Sequence, residues 1–348
     1  MPGKREKAAF NPYSVLIIMA VLALIIVSVL NLIKPFAAPR SGAGIELFTI
    51  SGNYSETGIA TRLKEENLIR NTWAFRLALK KPVEPGGYYL TRNMDAWAIA
   101  EKLGEMPDLV RLTIPEGWRR EQIAELLSKK LGWSQKEKEN WLVEAPLINP
   151  EIQEGLYFPD TYLIPRSESP RSTSRRLRYR FQEAMEPFFG EALQKNIKWT
   201  ALVTLASIIE REASGDKDRK LIAGILWNRL QRGMKLDADA TVQYIRDNRD
   251  DNDRWWGPID REDKQIDSPY NTYKHKGLPP SPINSPGRAA LEAALNPKPT
   301  EFLYYLHDDD ANIHCARSYD LHRENIRRYL NNDQGADIRA ALLPPSLK

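Results

Sequence analysis

Between Val15 and Ile33 every position except Ser28 and Asn31 is apolar, and nowhere else does the chain sustain such a run. Nineteen helical residues rising about 1.5 Å each span roughly 28 Å, close to the hydrocarbon thickness of a bilayer. The pattern predicts a single transmembrane helix over residues 13–34, preceded by a short tail, 1–12, and followed by a linker of small and turn-forming residues, 35–44. Lys4, Arg5 and Lys7 stand before the run, and only Lys34 and Arg40 follow it closely. That bias puts the tail in the cytoplasm and the bulk of the chain outside. A cleaved signal peptide is the competing reading, since Ala37 and Ala38 follow, but the run is longer than a signal core.

Past the linker the periodicity changes. Ile59, Ala60 and Leu63 recur as Ile99, Ala100 and Leu103, and again as Ile123, Ala124 and Leu127, each set lying on one face of a short helix. Strand-like runs at Glu46–Ile50 and Val110–Ile114 precede the first and third sets, with turns at Ser51–Tyr54 and Pro115–Trp118 between. The spacings are too uneven for a solenoid, so residues 45–135 read as a small α+β module. A proline-rich transition over 146–165 carries the aromatic run Glu154–Tyr162, suited to packing a junction or lining a groove. Helical periodicity then dominates, in Ser172–Met185, in Leu202–Ala213, and in a stripe of Leu221, Ile222, Ile225, Leu226 and Leu230 that ends near Gly233. Residues 246–268 are charged and turn-rich and read as a mobile excursion bordering a cleft, and 268–299 as loop around a short helix, 291–295. A strand over 302–306 and a helix over 319–330 close the pattern. The fold class is therefore α+β: an N-terminal transmembrane helix, a small module, then a mainly helical α+β domain over 136–340.

Composition narrows the chemistry. The chain has 348 residues, 42% of them hydrophobic, and its 50 basic and 46 acidic residues nearly balance. No aromatic or glycine-rich nucleic-acid module is present, despite the arginines of 171–180, and no glycine-rich phosphate loop follows a strand. Neither nucleic acid nor a cofactor is expected. His307, Asp308, Asp309, Asp310 and His314 have the composition of a metal site, but a strand ending in an Asp-rich turn has it too, and no metal is expected. With one cysteine, Cys315, no intrachain disulfide can form, and that thiol reads as structural.

Acid/base chemistry by a carboxylate remains. Glu210 sits where the apolar run Leu202–Ile209 meets the charged triplet Glu210, Arg211, Glu212. A carboxyl at such a junction is half desolvated and still reaches a cleft, which raises its pKa toward that of a general acid; an arbitrary Glu there more often marks only the edge of a solvated face. Glu212, the rival, points about 200° away on a helix and cannot cooperate with it. Ordinary glycoside hydrolysis needs two carboxylates. Cleavage by a sugar's own hydroxyl needs one, so a lone Glu210 suits the second chemistry.

The segment Leu205–Glu212 (LASIIERE) resembles the active-site helix of the YceG-like family of membrane-bound endolytic peptidoglycan transglycosylases. Similar blocks follow at Trp227–Leu230 with Gly233, Met234 and Leu236, at Asp239, Thr241, Val242 and Tyr244, read as a turn, and at Tyr270–Tyr273 with Gly277–Pro280, Pro282, Ile283, Pro286 and Gly287. Residues 45–131 resemble the LysM-like module that precedes the family's catalytic domain. The chain departs from the family at Ala240, where a proline is usual, and at Ile313 and Cys315, which stand where a histidine and an aromatic are usual. The resemblance implies a lytic transglycosylase with Glu210 as acid/base, and Asn228, Asp239, Thr241, Asn271 and Tyr273 as groove candidates. Trp255 and Trp256 can stack on sugars or pin their loop. The implied partners are peptidoglycan glycan strands, the inner membrane crossed once with the chain facing the periplasm, and peptidoglycan synthesis proteins. Two other readings stay open: a non-catalytic wall-binding scaffold, and a hydrolase in which Asp239 activates water.

Overall fold

The computed structural model describes residues 12–39, 44–52, 54–143, 152, 154–247 and 255–330. Most of the expected tail, part of the linker, residues 248–254 of the charged excursion and everything after 330 lie outside the described residues. The fold is α+β, as the patterning implies. The apolar run forms α1 (Pro12–Ile33), followed by a 3₁₀ turn at Lys34–Phe36. Among the described residues it is the one helix long and apolar enough to cross a membrane.

The chain divides into two compact units, residues 1–111 with 163–166, and residues 112–162 with 167–348. In the first, β1 (Ile45–Ile50) pairs antiparallel with β2 (Gly86–Thr91), from Ile45 opposite Thr91 to Ile50 opposite Gly86. The helices α2 (Glu56–Glu65), α3 (Thr72–Ala78) and α4 (Ala96–Leu103) accompany this ribbon. Each begins at a side-chain cap that satisfies an otherwise unpaired amide: Ser55, Asn71 and Asp95 accept from Gly58, Trp73 and Ala98. Ile59, Ala60, Leu63, Ile99, Ala100 and Leu103 are buried together with Phe48, Phe75, Tyr88 and Leu90, so the recurring triplets are the core faces of these helices. The sheet continues through β3 (Leu109–Thr113) to β4 (Thr161–Pro165), in the order β1-β2-β3-β4.

The second unit is built around α8 (Trp199–Glu212), in which every residue from Leu202 to Ile209 is buried. A helix apolar all round has to be surrounded. It packs with α7 (Pro170–Gln194), α9 (Asp216–Gln231), α10 (Asp239–Asp247) and α11 (Arg288–Leu295). Ala290, Ala293 and Ala294 of α11 are small enough to let the two helices approach closely around one core. Helices α5 (Arg120–Leu131) and α6 (Gln135–Val143), the hairpin β5 (Tyr304–His307) with β6 (Ile313–Ala316), and α12 (Tyr319–Tyr329) complete the unit. The Asp239–Tyr244 block, expected as a turn, is the start of α10.

Candidate active site

Glu210 lies one residue beyond the buried stretch of α8, and its side chain is only 8% exposed. The next wall comes from the loop before α11. Ser207 donates its hydroxyl to the Thr204 carbonyl and accepts the Ile283 amide at 3.1 Å, and its own carbonyl accepts Asn284 Nδ2 at 2.8 Å. The loop is thus fastened along the last turn of α8 and reaches Glu210 with Gly287, whose amide donates to Glu210 Oε2 at 2.8 Å. On its far side the loop pairs with the turn after β3: Gly117 donates to the Ser285 carbonyl at 2.9 Å, and Ser285 to the Trp118 carbonyl at 2.8 Å. Gly117 has φ +74°, a left-handed conformation that glycine adopts without strain.

This pairing brings a second carboxylate to the site. A Cβ on Gly287 would overlap the Glu116 carboxyl, so the absent side chain is the space Glu116 fills. Sequence reading left Glu210 without an acidic neighbour on its helix face. The structure corrects this, because the neighbour arrives from the Pro115–Trp118 turn and not from α8. Two basic groups also approach. Arg219 Nη2 is 3.8 Å from Glu210 Oε1, and Arg211 lies over the Trp256 ring at 4.5 Å.

Burial above all pushes the Glu210 carboxyl above its ordinary range. The Gly287 amide pulls it back, the Glu116 charge pushes it up again, and Arg219 and then Arg211 pull it down by less, leaving it raised. The rival Glu212 is also pushed up by burial, but it accepts the Tyr305 hydroxyl at 2.7 Å and the Ala240 amide. A proline at position 240 would have no such amide to give.

The other candidate side chains fall into two groups. Tyr273 donates its hydroxyl to Asp239 Oδ1, and Lys264 stands over the Tyr273 ring at 4.4 Å and 3.7 Å from the same carboxylate. Asp239 is exposed and lies on the Glu212 side, where its charge acts on that carboxyl. Asn228, Thr241 and Asn271 instead hold backbone. Asn228 Nδ2 donates to the Thr300 and Phe302 carbonyls, and Asn271 Nδ2 to those of Lys264 and Ile266. Thr241 is fully buried between the Ala238 carbonyl and the Thr272 hydroxyl. Trp255 and Trp256 pin their segment: Arg119 lies over both rings, and Gln243 donates to the Trp256 carbonyl. In the hairpin, His307 pairs with Asp218 and His314 with Asp308. Cys315 is half-buried, its thiol pushed up to about 11 chiefly by burial.

An α+β protein with one apolar N-terminal helix and a desolvated Glu under a glycine loop is the class that fold and site define. The chain belongs to the YceG-like family, whose model matches residues 48–328. It is 29% identical to an endolytic murein transglycosylase of Bacillus subtilis over 81% of this chain and 84% of that one. It is 27% identical to the endolytic murein transglycosylase of Streptococcus pneumoniae D39 over 79% of its length, and the match spans only 56% of that longer protein. The 2.6 Å crystal structure of a yceG-like protein from Listeria monocytogenes superposes with a TM-score of 0.59 at 26% identity, covering 80% of this chain and 98% of that one.

Proposed function

We propose that the chain is an endolytic peptidoglycan lytic transglycosylase that cuts glycan strands between N-acetylmuramic acid and N-acetylglucosamine. Glu210 is its acid/base. The observation that carries this reading is the buried, raised carboxyl of Glu210, held on the Gly287 amide at 2.8 Å in a chain whose relatives are named for this reaction. A protonated Glu210 gives its proton to the glycosidic oxygen as the bond from that oxygen to the muramoyl C1 breaks. The resulting carboxylate then takes the proton of the muramoyl C6 hydroxyl, whose oxygen closes on C1. No water is consumed, a 1,6-anhydro end forms, and Glu210 regains its starting proton. Burial, with the Glu116 charge adding to it, favours the protonated form of Glu210, and the Gly287 amide steadies the carboxylate between the two transfers.

In the cell the enzyme sits in the inner membrane through α1, tail in the cytoplasm and both units in the periplasm. Strands made at the bilayer meet an enzyme tethered there, which raises its local concentration and suits it to ending strand elongation beside synthesis proteins.

Replacing the acid tests the assignment. Glu210→Gln keeps an oxygen for the Gly287 amide, so the variant should fold as the parent does. Its glycan cleavage should fall by at least about a hundredfold. Circular dichroism and a chromatographic cleavage assay read both; undiminished cleavage would move the catalytic role elsewhere.

A further inference from the structure

The first unit carries an exposed apolar and basic face next to the point where the chain leaves α1. Phe36 stands three residues beyond Ile33, so at about 3.5 Å per residue it lies within roughly 10 Å of the end of the apolar span. Its ring stacks on Trp97 and meets Trp73 edge-on, both at 5.3 Å. Arg70 ties the same exit segment to the unit through its Nε, which donates to the Ala38 carbonyl at 2.9 Å. Chain connectivity therefore fixes both indoles close to the level where α1 ends, whatever the tilt of the helix.

These rings are not core. Trp73 is 47% exposed, Trp97 46%, and Leu77, one turn after Trp73 on α3, 63%. Arg76 and Lys80 are exposed beside them, and residues 67–83 hold four basic side chains, Arg70, Arg76, Lys80 and Lys81, and no acidic one. Indoles prefer the headgroup layer, where an apolar ring and a polar N–H are both satisfied, and basic side chains near it are drawn to anionic lipid.

We propose that this face, centred on α3, rests in the headgroup layer of the bilayer that α1 crosses, with Trp73, Leu77 and Trp97 inserted and Arg76 and Lys80 on anionic lipid phosphates. The inference rests on α1 being a transmembrane span and is independent of the assignment of Glu210. It makes the first unit a membrane-seated platform and not a freely swinging spacer.

The full chain, with Cys315→Ser, is reconstituted in vesicles of phosphatidylethanolamine and phosphatidylglycerol and spin-labelled singly at Leu77→Cys, Leu24→Cys or Thr57→Cys. Relaxation by oxygen and by a water-soluble nickel chelate reports depth. The Leu77 label should be reached by oxygen and shielded from the chelate, as at Leu24 and in contrast to Thr57. Combining Arg76→Glu with Lys80→Glu should restore chelate access at Leu77 and leave Leu24 shielded. A shielded Leu24 with a chelate-accessible Leu77 overturns this inference alone, whereas a chelate-accessible Leu24 overturns the span and the inference together. A shielded Leu77 that ignores the charge reversal removes the anionic lipid from the proposal.

Discussion

At Glu210 two opposing influences meet, and their balance sets the chemistry. Removing a carboxyl from water favours its neutral form, and the nearby Glu116 charge adds to that, while the Gly287 amide, Arg219 and Arg211 oppose it. Glu116→Gln deletes one push upward. The Glu210 pKa should then drop, so the alkaline fall in cleavage rate, where the acid loses its proton, should move to lower pH. A pH–rate profile of the variant against the parent checks this, and a limb that stays in place would reduce Glu116 to loop packing. Burial also carries a stability consequence. With a raised folded-state pKa, the folded protein holds a proton the unfolded chain has released. Folding is therefore penalised increasingly as pH rises from the ordinary carboxylate value through the folded one. Thermal melts at pH 7 to 8 should show Glu210→Gln at least as stable as the parent, with the advantage vanishing below about pH 4; a marked loss at neutral pH would mean the carboxylate is stabilising there. None of the Glu116 contribution is legible in sequence, because Glu116 and Gly287 are brought together by pairing across 170 residues of chain, and only the missing Cβ of Gly287 hints that something must fit there.

Among the elements, the helices were the easiest to read. Their apolar triplets in the first unit and the unbroken run of α8 are one-sided and all-round burial written directly in residue order. The pattern missed β2, whose segment Gly86–Thr91 is buried at four of its first five positions and so lacks alternation. It also missed β4, inside a proline-rich stretch, and β6, which is only four residues long. Recognising the Asn228 block located α9 correctly, yet the amide of Asn228 is engaged with two carbonyls of the chain entering β5. Sequence cannot separate an amide that binds ligand from one that binds backbone, since both need the same donor. The two uses differ in outcome. Asn228→Ala should lower stability by about 1–3 kcal/mol through the two orphaned carbonyls, measured by urea unfolding, and leave the glycan affinity of the folded protein unchanged. An unchanged stability with weakened binding would return Asn228 to the groove.

For the molecule as a whole, the anchor, the α+β class and the family were all visible in the chain, because each depends on long runs and ordered blocks and not on single contacts. The reaction itself depends on which oxygen closes on C1, and the two carboxylates Glu210 and Glu116 make that a sharp question. Mass spectrometry of the products released from intact glycan strands by the full-length protein answers it most directly. New 1,6-anhydromuramoyl ends that disappear with Glu210→Gln are the expected result; reducing muramic acid ends, or anhydro ends that persist in that variant, would rule out Glu210 as the acid/base of a lytic transglycosylase.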